Sequence, residues 1–184
     1  MRKIIFAAPF LTLTACNTTE TTIINAETDS SAVSTIQTPY LVCIRNADFE
    51  PAYLNEKGDT VIPFGKYIAA QTDTITALGI VQTPDFRWIG IDQSEKELVE
   101  FFIYDNGPDY FEEGLARIQK DGKIGFVNEA GEIVIEPQFA FADPFENGKA
   151  RATNSGVKKT EGEHWFWDSK DWFYIDTTGK KVEN

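Results

Sequence analysis

The chain has 184 residues, with 17 Lys or Arg against 29 Asp or Glu and a net charge of −12. A surface this acidic repels phosphate backbones, which argues against nucleic acid as a partner, and it resists lying flat on an anionic bilayer. The length is enough for one domain with a core of its own.

Met1, Arg2 and Lys3 form a short positive start, and Ile4 to Ala15 follows without a charge. Those 12 residues are too few to span a hydrocarbon core, which needs about 20. They fit the apolar stretch of a signal peptide, which is removed from the mature chain. The run closes on Leu13-Thr14-Ala15-Cys16. This resembles the lipobox of bacterial lipoproteins, an aliphatic residue and two small ones before a cysteine. The resemblance implies a signal peptide over 1–15, cleavage between Ala15 and Cys16, and acyl chains such as palmitate on Cys16. Two or three chains together anchor a protein firmly, where one holds it weakly. The next residue is Asn17. In Gram-negative lipoproteins an Asp there commonly retains the protein in the inner membrane, so the expectation is the cell envelope, and the outer membrane if the cell is Gram-negative. Loss of the leader leaves 15 basic residues against 29 acidic ones, a net charge of −14.

Residues 16–38 read as a lipidated flexible tether. Asn17 to Thr38 holds seven Thr and three Ser, with no Lys, Arg or aromatic residue. Such a stretch buries too little apolar surface to offset its ordering entropy. As a coil it spans roughly 25 Å. Beyond it Cys43 lies in the apolar run Tyr40-Leu41-Val42-Cys43-Ile44, and with Cys16 assigned to lipid it has no partner in the mature chain. A buried, inert thiol is the reading that its surroundings favour.

From Pro39 onward the signals are those of strands. Short runs of Ile, Val, Phe and Tyr alternate with Gly, Asn, Asp and Pro. Ser94 to Phe101 is the best helical candidate. A pattern recurs as Tyr53-Leu54-Asn55-Glu56-Lys57-Gly58, as Phe126-Val127-Asn128-Glu129-Ala130-Gly131 and as Tyr174-Ile175-Asp176-Thr177-Thr178-Gly179. A looser copy begins Gly90-Ile91-Asp92 and has no Gly at the turn. Asn or Asp opens a turn by bonding the backbone two residues on, and Gly three residues later suits a positive φ, so each copy predicts a β-hairpin. A second element, Phe111-Glu112-Glu113-Gly114-Leu115-Ala116-Arg117, returns 34 residues later as Phe145-Glu146-Asn147-Gly148-Lys149-Ala150-Arg151. That period points to repeat architecture.

The stretch from Phe111 to Phe145 resembles one full WG, or KWG, repeat. It carries Phe111-Glu112-Glu113-Gly114-Leu115-Ala116, then Gly122-Lys123-Ile124-Gly125-Phe126-Val127-Asn128, Gly131, and Ile133-Val134-Ile135-Glu136-Pro137-Gln138-Phe139. Ile124 stands where the family has Trp, and Gly125 is kept. The last copy has Asp171-Trp172-Phe173-Tyr174, with Trp kept and Gly replaced. The resemblance covers about residues 48 to 184. It implies a stack of hairpins and brings no catalytic residue and no cofactor.

An insertion, Asn154 to Lys170, breaks the last copy at the place that Gly122-Lys123 closes tightly in the complete one. It carries Glu161, Glu163, His164, Trp165, Phe166, Trp167 and Asp168. Insertions in repeat proteins often fall on the binding face. Trp165, Trp167 and Trp172 are therefore the candidate binding residues, either as a platform for a sugar ring or partner protein or as a cap on the stack. One His among acids is a poor metal set. Glu112, Glu113, Asp143 and Glu146 sit in the repeated element, where a structural role explains them better than glycosidase chemistry. Ser155 and Ser169 have no nucleophile setting.

The sequence thus predicts an all-β chain of antiparallel hairpin repeats stacked in series over 39–184, behind a cleaved leader and a tether. The expected role is non-enzymatic binding at a membrane to which the lipid holds it. A protein is the expected partner, with glycan or peptidoglycan as the alternative, a hydrolase as the third reading, and no metal required.

Overall fold

The computed structural model describes residues 39–104 and 106–183. The expected leader, the expected cleavage site at Ala15 and Cys16, and the expected tether to residue 38 lie outside the described residues. Within them every regular element is a strand, and all pairing is antiparallel. The first five are β1 (Leu41–Arg45), β2 (Pro51–Leu54), β3 (Thr60–Ile62), β4 (Ala69–Ala70) and β5 (Thr74–Ile75). Next come β6 (Gly79–Gln82), β7 (Trp88–Ile91), β8 (Glu97–Phe101), β9 (Leu115–Lys120), β10 (Lys123–Asn128) and β11 (Ile133–Phe139). The last six are β12 (Phe141–Ala142), β13 (Lys149–Thr153), β14 (Val157–Glu161), β15 (His164–Asp168), β16 (Phe173–Asp176) and β17 (Lys181–Val182).

These strands form a four-stranded sheet in the order β3-β2-β1-β5 and a seven-stranded sheet in the order β11-β10-β9-β8-β7-β6-β4. A second four-stranded sheet runs β12-β13-β16-β17, and β14 and β15 stand apart as a two-stranded hairpin. The helical expectation for Ser94 to Phe101 is corrected. Glu97–Phe101 is β8, paired with β7 on one side and β9 on the other. Val99 and Phe101 are buried, and a strand between two neighbours satisfies backbone groups that a short helix leaves open.

One turn chemistry builds the repeats. Asn55 Oδ1 accepts from the N–H groups of Lys57 and Asp59, both at 2.9 Å. Asn128 does the same for Ala130 and Glu132, Asp92 for Ser94 and Lys96, and Asp176 for Thr178 and Lys180. The residue three places on has positive φ: 84° at Gly58, 81° at Gly131, 80° at Gly179 and 65° at Glu95. Two further turns of this kind, at Asn46 and Thr83, place Phe49 and Phe86 in that conformation at φ 64° and 65°. The register slips beside three of these turns, the mark of a bulge that strengthens twist.

The repeated Phe-Glu-x-Gly element is a tighter hairpin. Glu113 and Gly114 have φ 53° and 78°, and Asn147 and Gly148 have 53° and 76°. Two successive positive values define the turn that matches strand twist. Glu113 also accepts the Gly148 N–H at 2.8 Å, so one copy of the turn is tied to the next.

The core follows the two-residue alternation of strands. On β10, Ile124 and Phe126 join a cluster with Ile135, Phe139, Ala150 and Ile175, bringing the end of the seven-stranded sheet against the third sheet. Val127 points the other way into a cluster with Ile80, Trp88, Val99 and Phe101. On β7, Ile89 and Ile91 meet Leu41, Tyr53, Ile62 and Ile75 of the first sheet. Gly125 has a packing reason: a Cβ there would lie 2.4 Å from the Ile135 carbonyl oxygen and 2.5 Å from the Pro137 nitrogen.

Candidate functional site

The insertion folds into the β14–β15 hairpin, in the register Glu161↔His164 through Val157↔Asp168. Its neck is latched by hydroxyls. Ser169 Oγ lies 2.8 Å from Thr153 Oγ1 and 3.3 Å from Ser155 Oγ, and Ser155 donates to Asp171 at 3.0 Å. The two serines thus serve the hairpin's attachment. Of the insertion's acidic and histidine side chains, Asp168 pairs with Lys159 at 2.5 Å, and Glu161 and His164 face each other across the ladder.

Strand alternation puts Trp165 and Trp167 on one face, and that face lands on Phe141. Trp167 stacks on the Phe141 ring at 5.4 Å and 8°, and Trp165 meets it edge-on at 5.9 Å. Trp172, at the entry to β16, meets Phe141 at 6.2 Å and 87°. All three candidate tryptophans therefore gather around one buried phenylalanine. Such ring pairs add about 0.5–1.5 kcal/mol each beyond their burial.

The three are not equivalent. Trp165 donates to the Tyr104 carbonyl at 3.2 Å, packs on Phe102 and Tyr104, and carries the Lys158 ammonium 4.2 Å from its ring centre. It anchors the hairpin to the body. Trp167 gives its N–H to Ser155 at 2.9 Å, and Trp172 lies under the Arg151 guanidinium at 4.3 Å. Trp167 and Trp172, with Tyr104, Phe141, Asp143 and Arg151, line an open cleft of about 360 Å³. Phe166 is exposed at its rim. The geometry divides the expected platform into one anchor and two lining residues.

Two ion pairs contribute side chains to the lining of this cleft. Arg117 reaches Asp109 through Nη2 at 2.6 Å and Nε at 2.8 Å, and donates to the Ala142 carbonyl at 3.1 Å. The rings of Phe102, Tyr104 and Phe141 lie 4.8 to 5.9 Å from its guanidinium. Arg151 reaches Asp143 through Nε at 2.8 Å. Asp143 is thus engaged by an arginine, Glu113 by a backbone N–H, and Glu112 and Glu146 stand at the two tight turns. The sequence reading passed over Phe141, Tyr104 and both arginines. Its signal was present: Asp109 and Arg117 recur as Asp143 and Arg151 at the same 34-residue spacing.

Charge is uneven along the chain. Residues 39–148 hold eight basic and 20 acidic residues, while 149–184 hold seven and six. The cleft draws Tyr104, Arg117, Phe141 and Asp143 from the first part and Arg151, Trp167 and Trp172 from the second. Cys43 lies apart, half-buried on β1 opposite Tyr53. Burial pushes its thiol up, which suppresses thiolate, and burial likewise raises the Tyr53 phenol.

A family model described as WG containing repeat matches residues 91–123 and 124–156, so the chain carries two copies of that repeat. They run from the end of β7 to the start of β10 and from there past β13. The Asn55 and Asp176 turns show the same hydrogen bonding outside the matched residues. No curated protein and no solved structure matches the chain.

Proposed function

We propose that this WG-repeat chain is a non-catalytic binding module of the bacterial envelope, held to a membrane by lipid on Cys16, with its partner-binding face at the β14–β15 cleft. The partner is a protein. The observation that carries the reading is the makeup of the cleft, a floor of Phe141, Trp167 and Trp172 beside the Asp143–Arg151 pair. Aromatic anchors at the centre with polar groups at the edge are the anatomy of a protein interface hot spot. The tryptophans that line it already give a face or an N–H to the protein itself. That leaves room for an inserted side chain more than a free platform for a sugar.

Glycan remains the second reading, because an arginine–carboxylate pair beside Trp172 could serve ring hydroxyls as well as backbone groups. Lipid attachment is supported by the Leu13-Thr14-Ala15-Cys16 run and its leader.

The test places a photo-reactive phenylalanine analogue at Phe166 in cells. The reading expects one protein adduct, lost with Trp172→Ala and retained with Phe49→Ala. An adduct to cell-wall sugar, or a protein adduct unchanged by Trp172→Ala, overturns it. Labelling with radioactive palmitate, absent in Cys16→Ala, tests the anchor separately.

A further inference from the structure

We propose that the cleft is an incomplete repeat joint, finished by an extended polypeptide segment of the partner. That segment gives a backbone carbonyl to Arg151 and lays an aromatic side chain against the half-buried Trp167 and Trp172. This rests on reading the cleft as a protein-binding face and names what enters it.

The template lies inside the molecule. Arg117 and Arg151 occupy the same place in the repeated element, each eight residues after its aspartate. Around Arg117 the joint is complete. Asp109 takes Nε and Nη2, the Ala142 carbonyl takes Nη1, and the Phe141 ring lies 5.9 Å from the guanidinium. Phe141 and Ala142 together are strand β12, so a single two-residue strand supplies both the carbonyl and a ring. The Arg117 side chain is left 4% exposed.

Around Arg151 the joint is half made. Asp143 takes Nε and Trp172 covers one face of the guanidinium, yet its side chain is 47% exposed. Among the described residues no carbonyl accepts from its terminal nitrogens. Among the described residues, what β12 supplies to Arg117 has no counterpart at Arg151. A guanidinium offers its donors in a fixed fork, so the empty positions have defined directions and suit a strand-like backbone.

The β12 segment itself is the natural probe. A labelled octapeptide of the sequence Gln138–Phe145 is titrated into the full chain and followed by fluorescence anisotropy. Saturable binding is expected, at least tenfold weaker to Arg151→Gln and at least tenfold weaker when the peptide's counterpart of Phe141 is Ala. Phe49→Ala, in the β1–β2 turn, should bind as the parent does. The absence of saturation at millimolar peptide, or equal binding by Arg151→Gln, overturns the inference. If the Phe166 adduct persists in Arg151→Gln, the cleft still binds protein and only the joint-completion idea fails. If no protein adduct forms at all, both fail.

Discussion

Asp109 grips Arg117 by two hydrogen bonds at 2.6 and 2.8 Å, with both side chains more than nine-tenths buried, and the pair returns 34 residues later at the surface as Asp143 and Arg151. One geometry in two environments separates burial from bonding. Removing one partner of a buried pair leaves an uncompensated charge, so Asp109→Ala should cost about 3–5 kcal/mol. Asp143→Ala breaks a bond between groups 35% and 47% exposed and should cost less than about 1 kcal/mol. Urea unfolding of both variants reads the difference, and equal losses would contradict this assignment.

Phe49 and Phe86 hold left-handed φ values at turns where Gly58, Gly131 and Gly179 stand in sister copies. A side chain there costs about 1–2 kcal/mol, and glycine's extra unfolded entropy returns about half of that. Phe86 is 69% exposed, so little burial is lost on replacement. Phe86→Gly should therefore raise stability by about 0.5–1 kcal/mol. A lower urea midpoint would show that the Phe86 ring has a stabilising contact.

Stability should fall in acid partly through two turn aspartates. The Thr178 hydroxyl and then backbone N–H groups bond Asp176, and Ser94 acts likewise on Asp92, holding both carboxyls below the ordinary aspartate range. A carboxyl lowered in the folded state contributes stability that is complete above its unfolded value and lost as pH falls through the lowered value. Asparagine keeps the acceptor, as Asn128 shows, and does not titrate. The double variant Asp92→Asn/Asp176→Asn should lose less of its urea midpoint between pH 7 and pH 3 than the parent chain. An identical loss would remove these turns from the acid response.

Trp165 and Trp172 should part company on mutation. Trp165→Ala removes the ring and the N–H that hold the hairpin to Phe102, Tyr104 and Phe141. Amide exchange across β14 and β15 should then quicken, while the seven-stranded sheet keeps its protection. Trp172→Ala should leave the hairpin's exchange unchanged and weaken the partner. If Trp165→Ala leaves β15 protected, it is not the anchor.

The hairpins were legible because each rests on a local event: an Asn or Asp side chain capturing two N–H groups, with Gly or its substitute three residues on. The Asn46 and Thr83 turns escaped notice because Phe49 and Phe86 stand at the Gly position, and Thr83 serves in place of Asn. Within the all-β reading Ser94 to Phe101 stood out as the best helical candidate, because Glu95 stands at the Gly position of the Asp92 turn and the second partner of Glu97–Phe101, β9, is distant in sequence. Trp165, Trp167 and Trp172 were picked out as a group, since two lie in the insertion and the third follows just after it. Their hub was not, because Phe141 lies in the preceding repeat and only folding brings β12 under the hairpin. Likewise the contrast between Arg117 and Arg151 needs burial, which two identical spacings cannot reveal.

The most direct measurement uses the native lysines. Amine-reactive cross-linking of the protein in its own envelope, followed by mapping of the linked peptides, reports which face meets the partner. The account predicts links to one protein from Lys158 and Lys159 on the hairpin, and none from Lys57 or Lys66 of the 39–70 region. Links to that protein concentrated on Lys57 and Lys66, with the hairpin lysines unmodified by it, would contradict the account.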